Sequence, residues 1–329
     1  MKRILVYSHD TYGLGNIRRT LTIAEHMIEA YDDVSILIVS GSPMLHAFRV
    51  TPRLDYVKLP CLTRLTGGGY GVKALGLSYE ATIRMRSRLL TATVAEYRPD
   101  VIVVDKKPFG VDEELADALD LAHRGPDRPR LALLLRDILD APHKTAAIWR
   151  KNGYYEAVRR YYDTVLVLGT ASVFDLSAEY DFPPDCAHRV QYCGYLRRRP
   201  GLRSREEVRA ELGVVPGAAF VLLTPGGGED GAALARTYLV GLAAEGGLAG
   251  AAPGGVRTLL VTGPEMARTE QDELRRRAGL LDGVDMLEFT ADLLSYVGAA
   301  DLLVSMGGYN TVCELLSARR RAVVVPRVR

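Results

Sequence analysis

Residues 301–314 read DLLVSMGGYNTVCE: a short apolar run, two glycines, then an amide, a hydroxyl and a carboxylate. DLLVS predicts a strand, Met306-Gly307-Gly308 a turn, and Asn310 or Thr311 the start of a helix that carries Glu314 in its early turns. Glycine amides and the Thr311 hydroxyl can donate to phosphate oxygens, and a Glu314 carboxylate can accept from both ribose hydroxyls. That combination suits a nucleoside diphosphate. It also suits a plain helix cap with Glu314 near the positive end of the dipole, so the surrounding chain must decide.

The same strand–turn–helix rhythm runs outward in both directions. Toward the C-terminus AVVVP (322–326) reads as a further buried strand, and toward the N-terminus come VDMLEF (284–289), VRTLLVTG (256–263) and AFVLLTPGGG (219–228). The segment YLRRRPGLRSREEVRAELG (195–213) interrupts the pattern with a Pro-Gly break and dense charge. Before it lie TVLVLG (164–169), LALLL (131–135), VIVV (101–104), VSILIVS (34–40) and ILVYS (4–8). Strands that alternate with helices imply parallel sheets covered on both faces. The expected fold is therefore α/β, with two tandem doubly wound Rossmann-like domains: 1–199 on the acceptor side and 200–329 binding the donor. In such folds ligands sit outside the carboxyl ends of the strands. The sequence stops just after its last strand, which reads as a second domain that is unusually short or truncated.

Composition narrows the functional classes. Lys and Arg total 42 against 40 for Asp and Glu, a formal net charge of +2, so no global field recruits nucleic acid. The four cysteines, Cys61, Cys186, Cys193 and Cys313, are scattered without a C-x-x-C pair, which argues against a disulfide framework or a zinc site. No run approaches the roughly 20 apolar residues of a membrane span. A cytoplasmic protein is expected, with room for peripheral contact at the inner face of a membrane.

Two further glycine turns follow predicted strands. In YSHDTYGLGNIRRT (7–20), Gly13 and Gly15 allow a tight turn and Asn16 can cap a helix whose amides face an anion. Arg18 stands where a G-x-G-x-x-G motif needs its last glycine, and Ser40-Gly41-Ser42 lacks a ribose-binding acid, so NAD binding is disfavoured. In TPGGGEDGA (224–232), Gly226, Gly227 and Gly228 can expose a nest of amides to phosphate oxygens before a helix that starts near Glu229. The turn lacks the G-K-[ST] ending of a P-loop. Its position at a strand end of the same domain as Gly307 and Gly308 strengthens the reading of both.

These residues carry a resemblance. TADLLSYVGAADLLVSMGGYNTVCELLSARRRAVVVPR (290–327) resembles the donor-binding region of GT-B glycosyltransferases, family 28 among them. SHDTYGLGNIRRT (8–20) and LRDILDAP (135–142) are similar to a bacterial group of predicted glycosyltransferases in that superfamily. The resemblance implies that Gly307, Gly308, Asn310 and Thr311 lie by the donor diphosphate, with Gly226 to Gly228 near the phosphates. It further implies that Glu314 holds the ribose and that Phe289-Thr290 borders the nucleobase. It implies a nucleoside-diphosphate-sugar donor, UDP-linked first, with no metal and no other cofactor. Where the family's N-terminal signature usually has His, this chain has Asn16, and an amide cannot take a proton near neutral pH. His9 or Asp10 would then accept the proton, or else the acceptor-side carboxylates Asp105 and Asp137.

The expected activity is transfer of a hexose or N-acetylhexosamine, with inversion, to the hydroxyl of a small-molecule or lipid-linked acceptor. Two alternatives stand beside it. A nucleotide-sugar 2-epimerase of the same fold would need a His in the cleft, yet none of the six His follows His188. A binding protein without turnover would fit the loss of the signature His. Elsewhere, WRKNGYYEAVRRYYD (149–163) offers Trp and Tyr among cations, which suits either a lipid-facing surface or packing against the sheet. The loop at 62–78, which includes TGGGYGVKALGLS (66–78), reads with the RMRSR face of the following helix (84–88) as an acceptor lid that Gly67, Gly68 and Gly69 let close.

Overall fold

The computed structural model describes residues 1–9, 15–43, 45, 51–65, 69–125, 127–244 and 252–326. The chain divides into two compact units, Met1–Leu196 and Arg197–Arg329. The division falls just before the Pro-Gly break because the residues ahead of that break already belong to the second unit. The Arg198 amide donates to Ser317 Oγ at 2.8 Å. A side chain at Gly201 would place its Cβ 2.0 Å from the Ser295 amide nitrogen, so only glycine lets the chain run this close.

The first unit runs β1 (Lys2–Ser8), α1 (Gly15–Ala30), β2 (Val34–Ser40), β3 (Leu54–Lys58), β4 (Leu62–Arg64), β5 (Tyr70–Val72), α2 (Tyr79–Tyr97) and β6 (Val101–Asp105). It continues with α3 (Ala116–Arg124), β7 (Arg130–Arg136), α4 (Pro142–Lys151), α5 (Tyr154–Tyr161), β8 (Thr164–Leu168), α6 (Leu176–Glu179), α7 (Pro184–Ala187) and β9 (Val190–Tyr192). The strands other than β4 and β5 form a parallel sheet in the order β3-β2-β1-β6-β7-β8-β9, which reverses direction between β1 and β6. Side chains alternate across it, as strand geometry requires. Ile4 and Val6 pack with Ile17 and Leu21 of α1, while Leu5 and Tyr7 join Leu90 of α2 and Leu119 of α3 on the other face. The α2 helix starts where Ser78 accepts the Ala81 amide, buries Thr82, Arg86, Leu90 and Val94 along one stripe, and stops at the left-handed Arg98.

The second unit runs α8 (Arg205–Glu211), β10 (Ala219–Thr224), α9 (Ala232–Ala243), β11 (Val256–Val261), α10 (Arg268–Ala278), β12 (Val284–Leu287), α11 (Leu293–Ala299), β13 (Leu302–Met306), α12 (Tyr309–Ala318) and β14 (Arg321–Val325). Its parallel sheet has the order β12-β11-β10-β13-β14 and reverses between β10 and β13. Phe220 and Leu222 of β10 pack toward Val208 of α8 and Val297 of α11, and Val221 and Leu223 toward Ala235 of α9 and Leu274 of α10. At the opposite end of the strands Asp301 accepts from the Phe220 amide and pairs with Arg205 and Arg209. Burial pushes its carboxyl up, but these partners outweigh it and hold it down at about 2.

Several sequence expectations change. The strand at 321–325 exists, paired with β13, but all five of its residues are exposed rather than buried. Of its two readings, the aromatic segment 149–163 takes the packed one: Trp149, Tyr154, Tyr155, Tyr161 and Tyr162 are all buried. Its cations reach outward instead, Arg159 to Asp185 and Arg160 to Asp120. The segment expected as a loop contains the antiparallel pair β4–β5, while Gly67 and Gly68 lie outside the described residues. Arg86 is not part of an exposed basic face. It is buried, with its guanidinium against both oxygens of Glu114 at 2.5 and 2.7 Å. Among the described residues no helix is long and apolar enough to cross a membrane.

Candidate functional site

In the second unit the two glycine corners come together. β10 and β13 are parallel neighbours with Thr224 opposite Ser305, so the turns after them emerge side by side where the strand order reverses. Ser305 Oγ donates to the Thr224 carbonyl at 2.5 Å and pins the two strand ends to each other. Gly226 and Gly228 have φ of 87° and 102°, a region that side chains rarely adopt. A Cβ on Gly228 would also lie 2.4 Å from the Thr262 carbonyl. The Glu265 amide donates to Gly227 O at 2.9 Å, which brings the loop after β11 into the same corner. The helix after the glycines begins at Ala232, later than Glu229, because Gly231 N first closes a turn onto Gly228 O at 3.1 Å.

The second corner differs from expectation in which amides it offers. Gly307 N donates to Val325 O at 3.2 Å and Gly308 N to Met306 O at 2.7 Å, so neither glycine amide is open to a phosphate. Gly308 is instead the cap residue of α12, which starts at Tyr309. The first-turn amides of any helix have no acceptor within it, so anion attraction belongs to the helix end that carries Asn310 and Thr311. Glu314 is buried, with Oε1 3.7 Å from the Arg198 guanidinium. At the end of β12, Phe289 is exposed and the Thr290 hydroxyl accepts the Asp292 amide at 3.1 Å. Gly263 N donates to Glu288 O at 2.9 Å and joins this loop to the end of β11.

In the first unit, His9 follows β1 and Asp105 ends β6, the neighbours at which that sheet reverses. Asn16 Nδ2 donates to His9 O at 2.6 Å, and Arg19 Nη2 donates to Asn16 Oδ1 at 3.2 Å and to Asp105 Oδ1 at 2.5 Å. Both ends of the Asn16 amide are thus engaged within the unit, one of them on the main chain of His9. The charge of Asp105 is matched by Arg19, and both are buried. Asp137, expected as a candidate base, accepts from the Tyr195 hydroxyl at 2.7 Å and the Ile138 amide at 2.8 Å. Gly169 packs so tightly against it that a Cβ there would lie 2.5 Å from Asp137 Cβ. Gly15 is the first residue of α1, whereas Asp10 and Gly13 lie outside the described residues.

His9 is 3% exposed, with Nε2 3.4 Å from the Tyr70 hydroxyl. Burial, and then the charges of Lys106, Lys107, Arg86 and Arg64, hold its imidazole well below the usual range. It is therefore neutral at physiological pH, the form able to accept a proton. Sequence reasoning missed Arg19, Tyr70, Lys106, Lys107 and Arg136. The signal for the last three was present as DKKP after VIVV and as LLLRD, cations placed directly at strand ends.

Residues 249–329 match the glycosyltransferase family 28 C-terminal domain. Over 127 residues the chain is 32% identical to UDP-N-acetylglucosamine–N-acetylmuramyl-(pentapeptide) pyrophosphoryl-undecaprenol N-acetylglucosamine transferase of Opitutus terrae, covering 37% of this chain and 31% of that enzyme. The chain thus spans about a third of the length of the curated relative it matches. Among solved structures it is similar to a glycosyltransferase from Rickettsia africae (TM-score 0.63, 10% identity, 98% of this chain and 79% of the other). It is also similar to Anabaena HepE in complex with UDP-glucose (0.61, 15%, 98% and 80%). MurG of Acinetobacter baumannii follows (0.55, 12%, 99% and 79%). Residues 249–329 thus match the family 28 C-terminal domain, and the chain has the α/β fold of the GT-B glycosyltransferases.

Proposed function

We propose that this chain transfers a hexose or N-acetylhexosamine from a UDP-sugar to an acceptor hydroxyl, with inversion. The observation that carries the reading is the pair of adjoining corners after β10 and β13, with Glu314 just inside α12, within or beside the region that matches family 28. The diphosphate lies against the start of α12 and the Gly226–Gly228 turn, where main-chain dipoles stabilise the leaving charge without a metal. Glu314 accepts from the ribose hydroxyls, and Phe289 borders the base. In the first unit neutral His9, oriented by Asn16 and Tyr70, accepts the proton of the attacking hydroxyl. Attack from the face opposite the diphosphate inverts the anomeric carbon. The relative from Opitutus terrae supports a lipid-linked acceptor, and hence peripheral contact with a membrane.

The test is UDP release from UDP-glucose and UDP-N-acetylglucosamine by the purified chain, with isothermal titration of both donors. Binding followed by acceptor-dependent release is expected. Folded protein that binds neither donor would sink the proposal. One observation favours a second reading, a sugar-nucleotide-binding protein without turnover: both ends of the Asn16 amide are engaged inside the unit, so no proton acceptor stands at that position. Donor affinity without release to any acceptor would select it.

A further inference from the structure

The carboxyl ends of β4, β6 and β7 in the first unit carry four cations that form no ion pair among the described residues. Lys106 and Lys107 follow β6, Arg136 ends β7 and Arg64 ends β4. Among the described residues none of the four side chains has an ion pair, and Lys107 meets only the Tyr70 ring, 4.9 Å from its centroid. The nearby acids are engaged elsewhere: Asp105 with Arg19, Glu114 with Arg86 and Tyr7, Asp137 with Tyr195, and Asp112 with Tyr79. Lys106, Lys107 and Arg136 are half-buried, and the attraction of Asp105 for Lys106 and of Asp105 and Asp137 for Arg136 only partly offsets the cost of holding like charges there. The crowding registers on Lys106, whose amine is pushed down to about 8 by burial first and then by Arg136. It registers also on His9, whose imidazole is held down by burial first and then by Lys106 and Lys107.

The backbone that presents the two lysines is held against its preference. Lys106, Asp112 and Glu113 have φ of 73°, 44° and 61°, outside the comfortable range of residues with side chains. The loop is fixed by the buried anchor at its far end, where Glu114 takes the Arg86 guanidinium and the Tyr7 hydroxyl. A fold that holds unpaired cations on a strained loop, at the point where its sheet reverses, is arranged for an anion.

We propose that the first unit has its own phosphate-binding site, in which Lys106, Lys107, Arg136 and Arg64 hold a phosphate monoester or diphosphate. Placing that phosphate on the acceptor rests on the transferase reading, whereas the site itself does not. Trp149, the single tryptophan of the chain, is buried in the first unit, so its fluorescence reports that unit's unfolding.

The experiment follows Trp149-detected thermal unfolding of the full chain and of its Lys106→Met and Arg136→Met variants, with inorganic pyrophosphate, geranyl diphosphate and UDP titrated separately. Pyrophosphate raises the wild-type midpoint, and each variant needs at least about tenfold more for the same shift, as expected for loss of one charged contact. Without anion the Lys106→Met midpoint is at or above that of the wild type, which separates lost binding from lost folding. A tighter grip on geranyl diphosphate than on pyrophosphate assigns the phosphate to a lipid-linked molecule. Equal grip assigns it to a soluble one, and both results support the site. Pyrophosphate that shifts the variants as much as the wild type, or shifts none of them, overturns it. A Lys106-dependent response to pyrophosphate in a chain that binds no UDP-sugar keeps this site and removes the transferase reading.

Discussion

The two units reverse their sheets in the same way and furnish the reversal with opposite materials. In the second unit the corner is made of main chain: glycines at positive φ, carbonyls so close that a Cβ on Gly228 or Gly263 would strike them, the first turn of α12 and one buried carboxylate. In the first unit it is made of charged side chains, with the buried pairs Arg19–Asp105 and Arg86–Glu114 behind a group of cations that form no ion pair among the described residues. Main-chain dipoles are fixed by the fold, cost nothing to desolvate beyond the fold itself and suit a ligand common to many enzymes. Side-chain charge is adjustable by single substitutions. The contrast predicts that the first unit is sensitive to loss of charge and the second to gain of bulk.

Glu114→Ala should strike hardest. It leaves a buried guanidinium alone, at a cost of about 3–5 kcal/mol, read as a fall in the urea midpoint of Trp149 fluorescence. An unchanged midpoint would break the contrast at its charged end. His9→Asn should lower kcat by about 10²- to 10⁴-fold while leaving donor affinity intact. The imidazole is held below its ordinary 6.5, so the acidic limb of the wild-type rate profile should fall well below that value rather than at it.

Gly228→Ala, at φ 102° and close to the Thr262 carbonyl, should destabilise the second unit by about 1–3 kcal/mol, seen by circular dichroism while Trp149 reports no change. Equal loss in both signals would mean that the corner is not a property of its own unit. Glu314→Gln should weaken UDP roughly tenfold and leave the effect of pyrophosphate on Trp149 untouched, with calorimetry as the check.

A further effect is one of pH. Between about 8 and the ordinary 10.5 of lysine, the unfolded chain keeps a proton on Lys106 that the folded unit has lost. Stability contributed by this group therefore rises with pH across that window. Lys106→Met should abolish that rise in the Trp149-detected midpoint.

Much of the architecture was legible beforehand because strand and helix periods are local. Strand Leu302–Met306 and the helix behind it follow from four apolar residues around Ser305, two glycines and an amphipathic run. The aromatic segment at 149–163 was ambiguous because tyrosine suits both core and surface. Only packing against Phe182 and Tyr180 made it core. The edge strand Arg321–Val325 misled for the converse reason: its apolar run reads as buried, yet burial depends on what lies over it. Asn16 was seen as a departure, but its bonds to His9 and Arg19 were not, since spacing does not reveal which way an amide is used.

By itself the sequence determined the alternation of strands and helices, the two glycine corners and the candidates His9, Thr311 and Glu314, because each rests on neighbours within a few residues. Tertiary structure alone decided that those corners adjoin, that Gly307 and Gly308 give their amides to the protein, and that Lys106 and Arg136 crowd the same strand ends. These depend on strand order and on which charges find partners. Both are settled by burial over a whole unit, where pairs as distant in sequence as Arg19–Asp105 and Arg198–Glu314 meet.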